Sequence, residues 1–539
     1  MNFHRLIVMG ILAAYSSHVF ATSISTNLFI PRPFSTDMAR EILQEKAAWD
    51  GIPKPDNWHG TFQVALQYNS MFNTLGDATH GIGARPFWNG TNTMTVGDNA
   101  NFADSDFSAG GPYDVDGWQF GLGEVTTPGS ITLNPKIHQD GAALLLYIGS
   151  RQYEQGFFIK FVGPINATVI DPGLTETTPT LAAYPEGVMQ ITSNSAGARG
   201  PFNLTMTQAF TGNFITNTNI AFVGLEFGKI NGKQSSGARF GDINIALGYN
   251  FFADEKRHIG AALRFGAPTG NGPVSIYMLE PISGAGNSWM AGFEFIAHGT
   301  ILEKQNTCIK VWFDAYAAHI FKGRQVRTFD AIINGPGSKY LLVGDFGTAG
   351  TTSQNNFQAL INLTRLAVDT KRNVTIDSAL LFDIEHLNWD IGIGYNFWGV
   401  SREHLSLEQV IASGRYGFVG HQPNIHLTGL LPPYYTLNKV DPTAKMNQYM
   451  PLARNTTGTL GTGVTAAPGS MINGAAALDI ANEESPGAWS SKIFCRVAYQ
   501  WKDTNLVPTL GLYASSEFSQ SGNTAISQWG IALHGGISF

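Results

Sequence analysis

Apolar side chains recur at every second position through much of this chain, the spacing of a strand with one greasy and one polar face. In 61–68, Phe62, Val64, Leu66 and Tyr68 alternate with Thr61, Gln63, Ala65 and Gln67. In 241–252, Ile243, Ile245, Leu247, Tyr249 and Phe251 alternate with Asp242, Asn244, Ala246, Gly248 and Asn250. In 258–266, Ile259, Ala261, Leu263 and Phe265 oppose Gly260, Ala262, Arg264 and Gly266. Later, Val374, Ile376, Leu380, Phe382 and Ile384 oppose Thr375, Asp377, Asp383 and Glu385, with one slip of phase between them. Trp389, Ile391, Ile393, Tyr395 and Phe397 oppose Asp390, Gly392, Gly394 and Asn396, and Ile493, Cys495, Val497, Tyr499 and Trp501 oppose Lys492, Arg496 and Gln500.

The pattern predicts strands near 60–69, 131–149, 156–169, 200–210, 217–230, 238–252, 258–267, 287–299, 307–320, 356–368, 373–385, 388–398, 472–481, 490–501, 506–518 and 525–539. That makes about 16; dropping the two weakest, 200–210 and 472–481, leaves 14, and a one-chain bacterial barrel needs an even number. A soluble β-sandwich also alternates, but these segments are longer than the usual five or six residues. Polar turns are expected at Ala253 to Arg257, Glu303 to Thr307, Asp369 to Arg372 and Lys502 to Asn505. The polar set carries Asp, Glu and Arg among many Gly, which suits a wet interior. The fold class expected is all-β: a transmembrane antiparallel β-barrel with long extracellular loops and a short N-terminal helix.

The final strand places Trp529, Ile531, Leu533, Ile537 and Phe539 at alternate positions, with Gly535 interrupting the apolar set. Over about 15 residues this resembles the C-terminal signature of Gram-negative, porin-like outer-membrane barrels. The resemblance implies recognition by the barrel-assembly machinery, with outer-membrane lipid around the wall. At the other end, Asn2-Phe3-His4-Arg5, an apolar run from Leu6 to Tyr15 and small residues up to Ala21 form a secretory signal, with cleavage expected after Ala21. That run is too short to span a bilayer as a helix. The organisation expected is a signal peptide at 1–21, a periplasmic or plug segment at 22–58 and the barrel at 59–539.

Asp37 to Trp49 is rich in helix formers, with Thr36 or Asp37 to cap it and Pro53 and Pro55 beyond it. Such a helix would lie in the lumen or in the periplasm. Segments 70–130, 170–199 and 321–355 are candidate outside loops. The stretch 399–471 fits least well: Ser401 to Gln409 reads as a short helix, and the rest would be a plug, two more strands or an error of topology.

Composition sharpens this picture. Charged residues make up 14%, aromatics 12% and glycines number 61, while mean hydropathy is −0.04. A soluble surface would carry about 25% charge. The net charge of −7 without a basic stripe argues against nucleic acid as a partner. Cys308 and Cys495 fall in predicted strands and read as two thiols rather than a disulfide or a metal framework.

Catalytic motifs are absent: there is no His-Glu-x-x-His, no phosphate-binding loop and no Gly-x-Ser-x-Gly. Gly121-Leu122-Gly123 and Gly461-Thr462-Gly463 lack the strand-to-helix context of a nucleotide site. Asp98, Asp104, Asp106, Asp114 and Asp116 read as a solvated acidic loop. Neither an enzyme, a metal nor a cofactor is expected.

The strand phases point Lys160, Glu226, Asp242, Arg264, Glu294, Lys310, Asp314, Asp377, Asp383, Glu385, Asp390, Arg496 and Glu517 inward, along with Phe158, Phe222, Trp312, Tyr316, Trp398, Phe494 and Tyr513. An acidic excess in a hydrated lumen would favour cations; the other reading is that these charges pair across the interior and hold the wall together. The function expected is a porin-like channel for small solutes, possible as a homo-oligomer. Two alternatives stand beside it: a plugged transporter for hydrophobic compounds, and a surface adhesin or structural protein anchored by a barrel.

Overall fold

The structure, a computed structural model, describes residues 25, 32–49, 58–72, 86–98, 112–150, 155–183, 200–212, 221–253, 256–345, 347, 356–418, 445–446, 472, 474–502, 506–519 and 525–539. The signal segment 1–21, Asp104, Asp106 and Gly461-Thr462-Gly463 lie outside them.

Twelve long strands, each antiparallel to the next, make the wall. They are β1 (His59–Met71), β2 (Lys136–Gly149), β3 (Gly156–Asp171), β4 (Ile243–Ala253), β5 (Arg257–Ala267), β6 (Met290–Lys304), β7 (Thr307–Arg327), β8 (Leu366–His386), β9 (Trp389–Val400), β10 (Ala488–Gln500), β11 (Val507–Ser519) and β12 (Gln528–Ser538). Closure comes from β12 pairing with β1, Thr61 opposite Ser538 through to Met71 opposite Gln528. Gly60 and Phe539 exchange both backbone hydrogen bonds at 2.9 Å. A side chain at Gly60 would collide with the Phe539 ring and the Tyr147 carbonyl, so the seam needs glycine there.

The outer face is apolar: Leu66, Leu247, Phe293, Ile393, Leu512 and Ile531 are exposed, while their neighbours in sequence point inward. Trp529, Ile531, Leu533, Ile537 and Phe539 all lie on this outer face. An outward apolar band over strands of 11–21 residues is what a bilayer requires of a closed sheet. No described helix is long and apolar enough to cross a membrane.

Every short connection lies at the end holding His59 and Phe539, here the base, and every long one at the opposite end, the crown. The expected 16 or 14 strands therefore reduce to twelve, and the uneven loop alternation disappears. Four predicted strands fail for separate reasons. Residues 206–211 form a helix, with the Thr205 side chain accepting from Gln208 N and Gly212 left-handed at its end. Residues 474–477 and 480–483 are short helical turns. Among the described residues of 217–230, Ala221–Val223 forms a strand, paired in parallel with Asn356–Ala359 in a crown sheet. Segment 356–368 instead divides between that crown sheet and the start of β8.

The expected turn at Asp369 to Arg372 is the middle of a strand. β7 and β8 run 21 residues each and climb past the lipid belt, so polar residues occur there without a reversal of the chain. Lys322 pairs with Asp369 across them. β8 keeps one phase from Val374 to Glu385, and the irregularity lies just above that stretch, where the β7–β8 register shifts at Ala318/Ile320 and Ile320/Gly323, once in each strand. The expected helix at 401–409 is also a strand, Glu403–Leu407, paired with upper β8 from Val368↔Leu407 to Arg372↔Glu403. The segment between β9 and β10 belongs to the crown, and its residues 419–444 and 447–471 fall outside the described set.

The crown has its own apolar core, in which Phe87, Trp118, Phe120, Phe210, Phe329, Tyr340, Leu342 and Phe418 are buried together. Asp114 accepts from Thr95 N and Oγ1 at 2.8 Å, and Asp116 caps the turn Gly117–Phe120, so these acids have structural roles. Both cysteines are free thiols; Cys495 faces outward.

One ion pair pins the crown to the wall. Glu403 sits 3.1 Å from Arg327, both fully buried, and its Oε2 accepts from Ser485 N at 3.2 Å. Burial alone would raise this carboxyl, but the guanidiniums of Arg327 and Arg372 overrule it and hold it below its ordinary 4.5. A depressed carboxyl stabilises the fold above pH 4.5 and loses that contribution as pH falls through its own lower value. Crown resistance to limited proteolysis should therefore fall with acidification below that point. Glu403→Gln should cost about 3–5 kcal/mol by stranding Arg327 and should flatten the acid dependence; an unchanged acid profile would refute the pairing.

Candidate functional site

A twelve-stranded barrel is roughly 24 Å across between backbones, given a strand spacing near 4.8 Å and the usual tilt. Inward side chains reduce that to about the 10–12 Å diameter of one helix. One helix occupies it. Helix α1 (Met38–Glu45) continues as a tighter turn, Lys46–Ala48, and every residue of both is buried. An eight-residue helix is unstable alone in water, and α1 buries both an apolar face (Met38, Ala39, Ile42, Leu43) and a charged one, so partners for both must come from the wall.

They do, on nearly every side. Arg32, just before the helix, reaches Asp377 of β8 at 2.6 Å, Glu517 of β11 at 3.0 Å and Asn396 of β9 at 2.9 Å. Asp37 occupies the N-cap position expected of it, but its carboxylate binds Lys492 of β10 at 3.0 Å rather than a helix amide. The wall caps the helix instead, with Asp377 accepting from Met38 N at 3.3 Å. Arg40 donates to Gln67 of β1 at 2.9 Å, and Gln44 donates to the Ala143 carbonyl of β2 at 3.1 Å. Glu41 takes a bidentate bond from Arg264 of β5 at 2.7 and 2.9 Å. Glu45 holds Lys160 of β3 at 2.8 Å. Lys46 lies within 3.0 Å of Asp383, Glu385 and Asp390.

The chain reaches this position from the crown. The Ser25 hydroxyl accepts from Gly337 N at 2.9 Å, and its carbonyl accepts from Lys339, both crown residues. From there the chain passes Arg32 and α1 and arrives at Trp49 near the base, where β1 starts. The described residues 32–49 thus run through the lumen from below the crown to the base.

Eleven of the sequence-predicted inward charges are buried on the inner face of wall strands: Lys160, Arg264, Glu294, Lys310, Asp314, Asp377, Asp383, Glu385, Asp390, Arg496 and Glu517. All but Asp314 have ion-pair partners among the described residues, in the wall or the N-terminal segment: Lys160 with Glu294, Lys310 with Glu385 at 2.9 Å, Arg496 with Asp390 at 3.2 Å. Asp242, just ahead of β4, is also buried but accepts from Gly270 N and Ala285 N at 3.2 and 2.6 Å, fastening a crown loop. Glu226 is not in the wall; it is exposed in the crown beside Asn362, because its predicted strand does not form. Phe222 lies there too, whereas Phe158, Trp312, Tyr316, Trp398, Phe494 and Tyr513 are buried inside the barrel. The expected hydrated, cation-selective lining is therefore a set of buried ion pairs.

Sequence reading missed Arg32, Asp37, Arg40, Glu41, Glu45 and Lys46 as site residues, and omitted Lys492. A signal was available. The inward wall set carries more acid than base, and a helix bearing charge on several faces precedes the first strand.

A scan against protein families found no match, and neither did a search of curated proteins. Among solved structures, the chain is similar to an outer membrane channel from Pseudomonas putida (8% identity, TM-score 0.35, covering 91% of this chain and 98% of that one). It is also similar to a Pseudomonas aeruginosa FadL homologue (7%, 0.29, 92% and 93%) and to the Pseudomonas putida toluene transporter TodX (7%, 0.30, 96% and 97%). All three scores lie below 0.5, and the outer-membrane barrel assignment stands on this chain's own register and surface.

Removing one partner of a buried pair leaves a charge without compensation. Arg264→Met should cost roughly 3–5 kcal/mol by stranding Glu41 and Glu294, read as an earlier midpoint in urea unfolding of the detergent-solubilised protein. Adding Glu41→Gln and Glu294→Gln should recover most of that loss. A neutral single substitution would contradict the pairing.

Proposed function

We propose that this chain is a plugged outer-membrane transporter for small hydrophobic compounds, gated by its own N-terminal segment, rather than an open porin. The observation that carries the reading is the segment 32–46, with the helix Met38–Glu45 at its centre, buried in the lumen and bonded to β1, β2, β3, β5, β8, β9, β10 and β11. Diffusion through a porin needs a wet passage, and twelve strands leave too little room for one beside a helix.

The crown supports the cargo class. A solute arriving from that end meets a crown built around an apolar interior, in which Phe120, Leu225, Tyr340, Leu342 and Ala359 pack together. Below it lies the helix, held by ion pairs whose desolvation largely offsets their attraction. These pairs fix the plug in position, and a solute shifts it only by the difference in its affinity for the plugged and open states. In this reading the crown faces outward from the cell, the base faces the periplasm, residues 1–21 are removed on export, and the strand ending in Phe539 is the assembly signal.

Planar-bilayer recording tests the reading. Wild-type protein should be silent or open only briefly. A chain lacking residues 32–49, or carrying Arg32→Ala with Lys46→Ala, should conduct in steady steps. Large ohmic conductance in the wild type would restore the porin reading.

A further inference from the structure

At the base, the plug ends in a ring held by other rings. Trp49 stacks on His258 with centroids 4.0 Å apart and lies 4.9 Å from His59, 5.6 Å from His298 and 5.9 Å from Tyr147. Trp312 closes the group by stacking on His298 at 4.0 Å. The walls come from β1, β2, β5, β6 and β7, and His258, His298 and Trp312 are direct cross-strand neighbours. All are buried.

Three features characterise this box, the last of them shared with the buried indoles of Trp118, Trp312 and Trp398. Imidazoles are costly fillers of a buried space, since each brings polar nitrogens that an aliphatic side chain would not. His258 is held in place by Asn250 at 2.8 Å, and the same Asn250 donates to the Tyr147 hydroxyl at 3.0 Å, so two walls are fixed by a bond that does not involve the occupant. Lastly, Trp49 Nε1 is buried with no hydrogen-bond partner among the described residues, so the indole fits by its faces and forgoes its polar edge. A free ring could turn in the plane of the stack to satisfy that edge; one tethered through the backbone cannot.

We infer that the box is a binding site for planar N-heteroaromatic solutes of indole size, with Trp49 as its resident, displaceable occupant. The inference rests on the plug reading and names a substrate class for it. A solute that takes the box releases the C-terminal end of the plug. Stacking supplies the selectivity, since offset aromatic pairs gain beyond their buried area.

The probe is 5-fluoroindole, titrated into the full-length chain in detergent micelles and followed by fluorine NMR, with excess unlabelled indole to subtract partition into micelles. Saturable binding is expected in the wild type. Trp49→Ala should tighten it at least tenfold, because the internal competitor is gone. Adding His258→Ala and His298→Ala should weaken it at least tenfold again. A fluorinated cyclohexane of equal size should gain much less from Trp49→Ala than the indole does. The inference fails if no saturable component appears in Trp49→Ala, if removing Trp49 changes nothing, or if the cyclohexane gains as much. Should Trp49→Ala not yield folded barrel, His298→Ala against wild type decides: tenfold weaker binding supports the box, and equal affinity overturns it. Binding does not require transport. A silent pore without indole binding therefore sinks only this inference, while an open wild-type pore sinks the plug reading and leaves the box measurable.

Discussion

The barrel interior is an electrostatic problem with one solution. Closing the wall turns the polar side of each strand inward, and carboxylates and amines enclosed in so narrow a space lose their water. An unpaired charge there is prohibitively costly, so each needs a counter-ion. The N-terminal segment supplies the missing ones: Arg32 and Lys46 against the carboxylates of β8, β9 and β11, and Glu41 and Glu45 against Arg264 and Lys160. Wall and helix are each unfavourable without the other. Helix position and lumen closure follow from that mutual dependence, and the proposed gating rests on it.

The two ends of the lumen are fastened differently. At the crown the chain is anchored at Ser25 within a large apolar core, and Arg327–Glu403 ties that core to the tops of β7 and β8. At the base the fastening is a stack of rings around Trp49. Between them lie ion pairs, hydrogen bonds to Gln67, Asn396 and the Ala143 carbonyl, and the apolar face of α1 packed on the wall. In the proposed reading this is the part of the plug that must give way.

Much of the wall was legible from period-two alternation, because lipid on one side and enclosed charge on the other impose it without exception. Phe62 to Tyr68, Ile259 to Phe265 and Trp389 to Phe397 all face as their spacing demands. What misled was the crown. Once a strand rises above the lipid, nothing enforces the alternation, so Asp369 to Arg372 imitated a turn and Ser401 to Gln409 imitated a helix. The Thr205 cap three residues before Gln208 was a readable helix start that a few apolar residues obscured. The inward charges were readable one strand at a time, but their pairing was not, since the partners of Lys46 and Arg32 lie hundreds of residues away. That gap turned a filled lumen into an expected wet one.

Amide hydrogen exchange over residues 38–48 of the full-length protein in detergent tests the central claim most directly. If the helix is locked in the lumen, these amides should exchange orders of magnitude more slowly than in the isolated peptide, approaching the protection of the wall strands. Exchange at the rate of a free peptide would mean that the segment lies outside the barrel, and the account of wall, plug and gate would not stand.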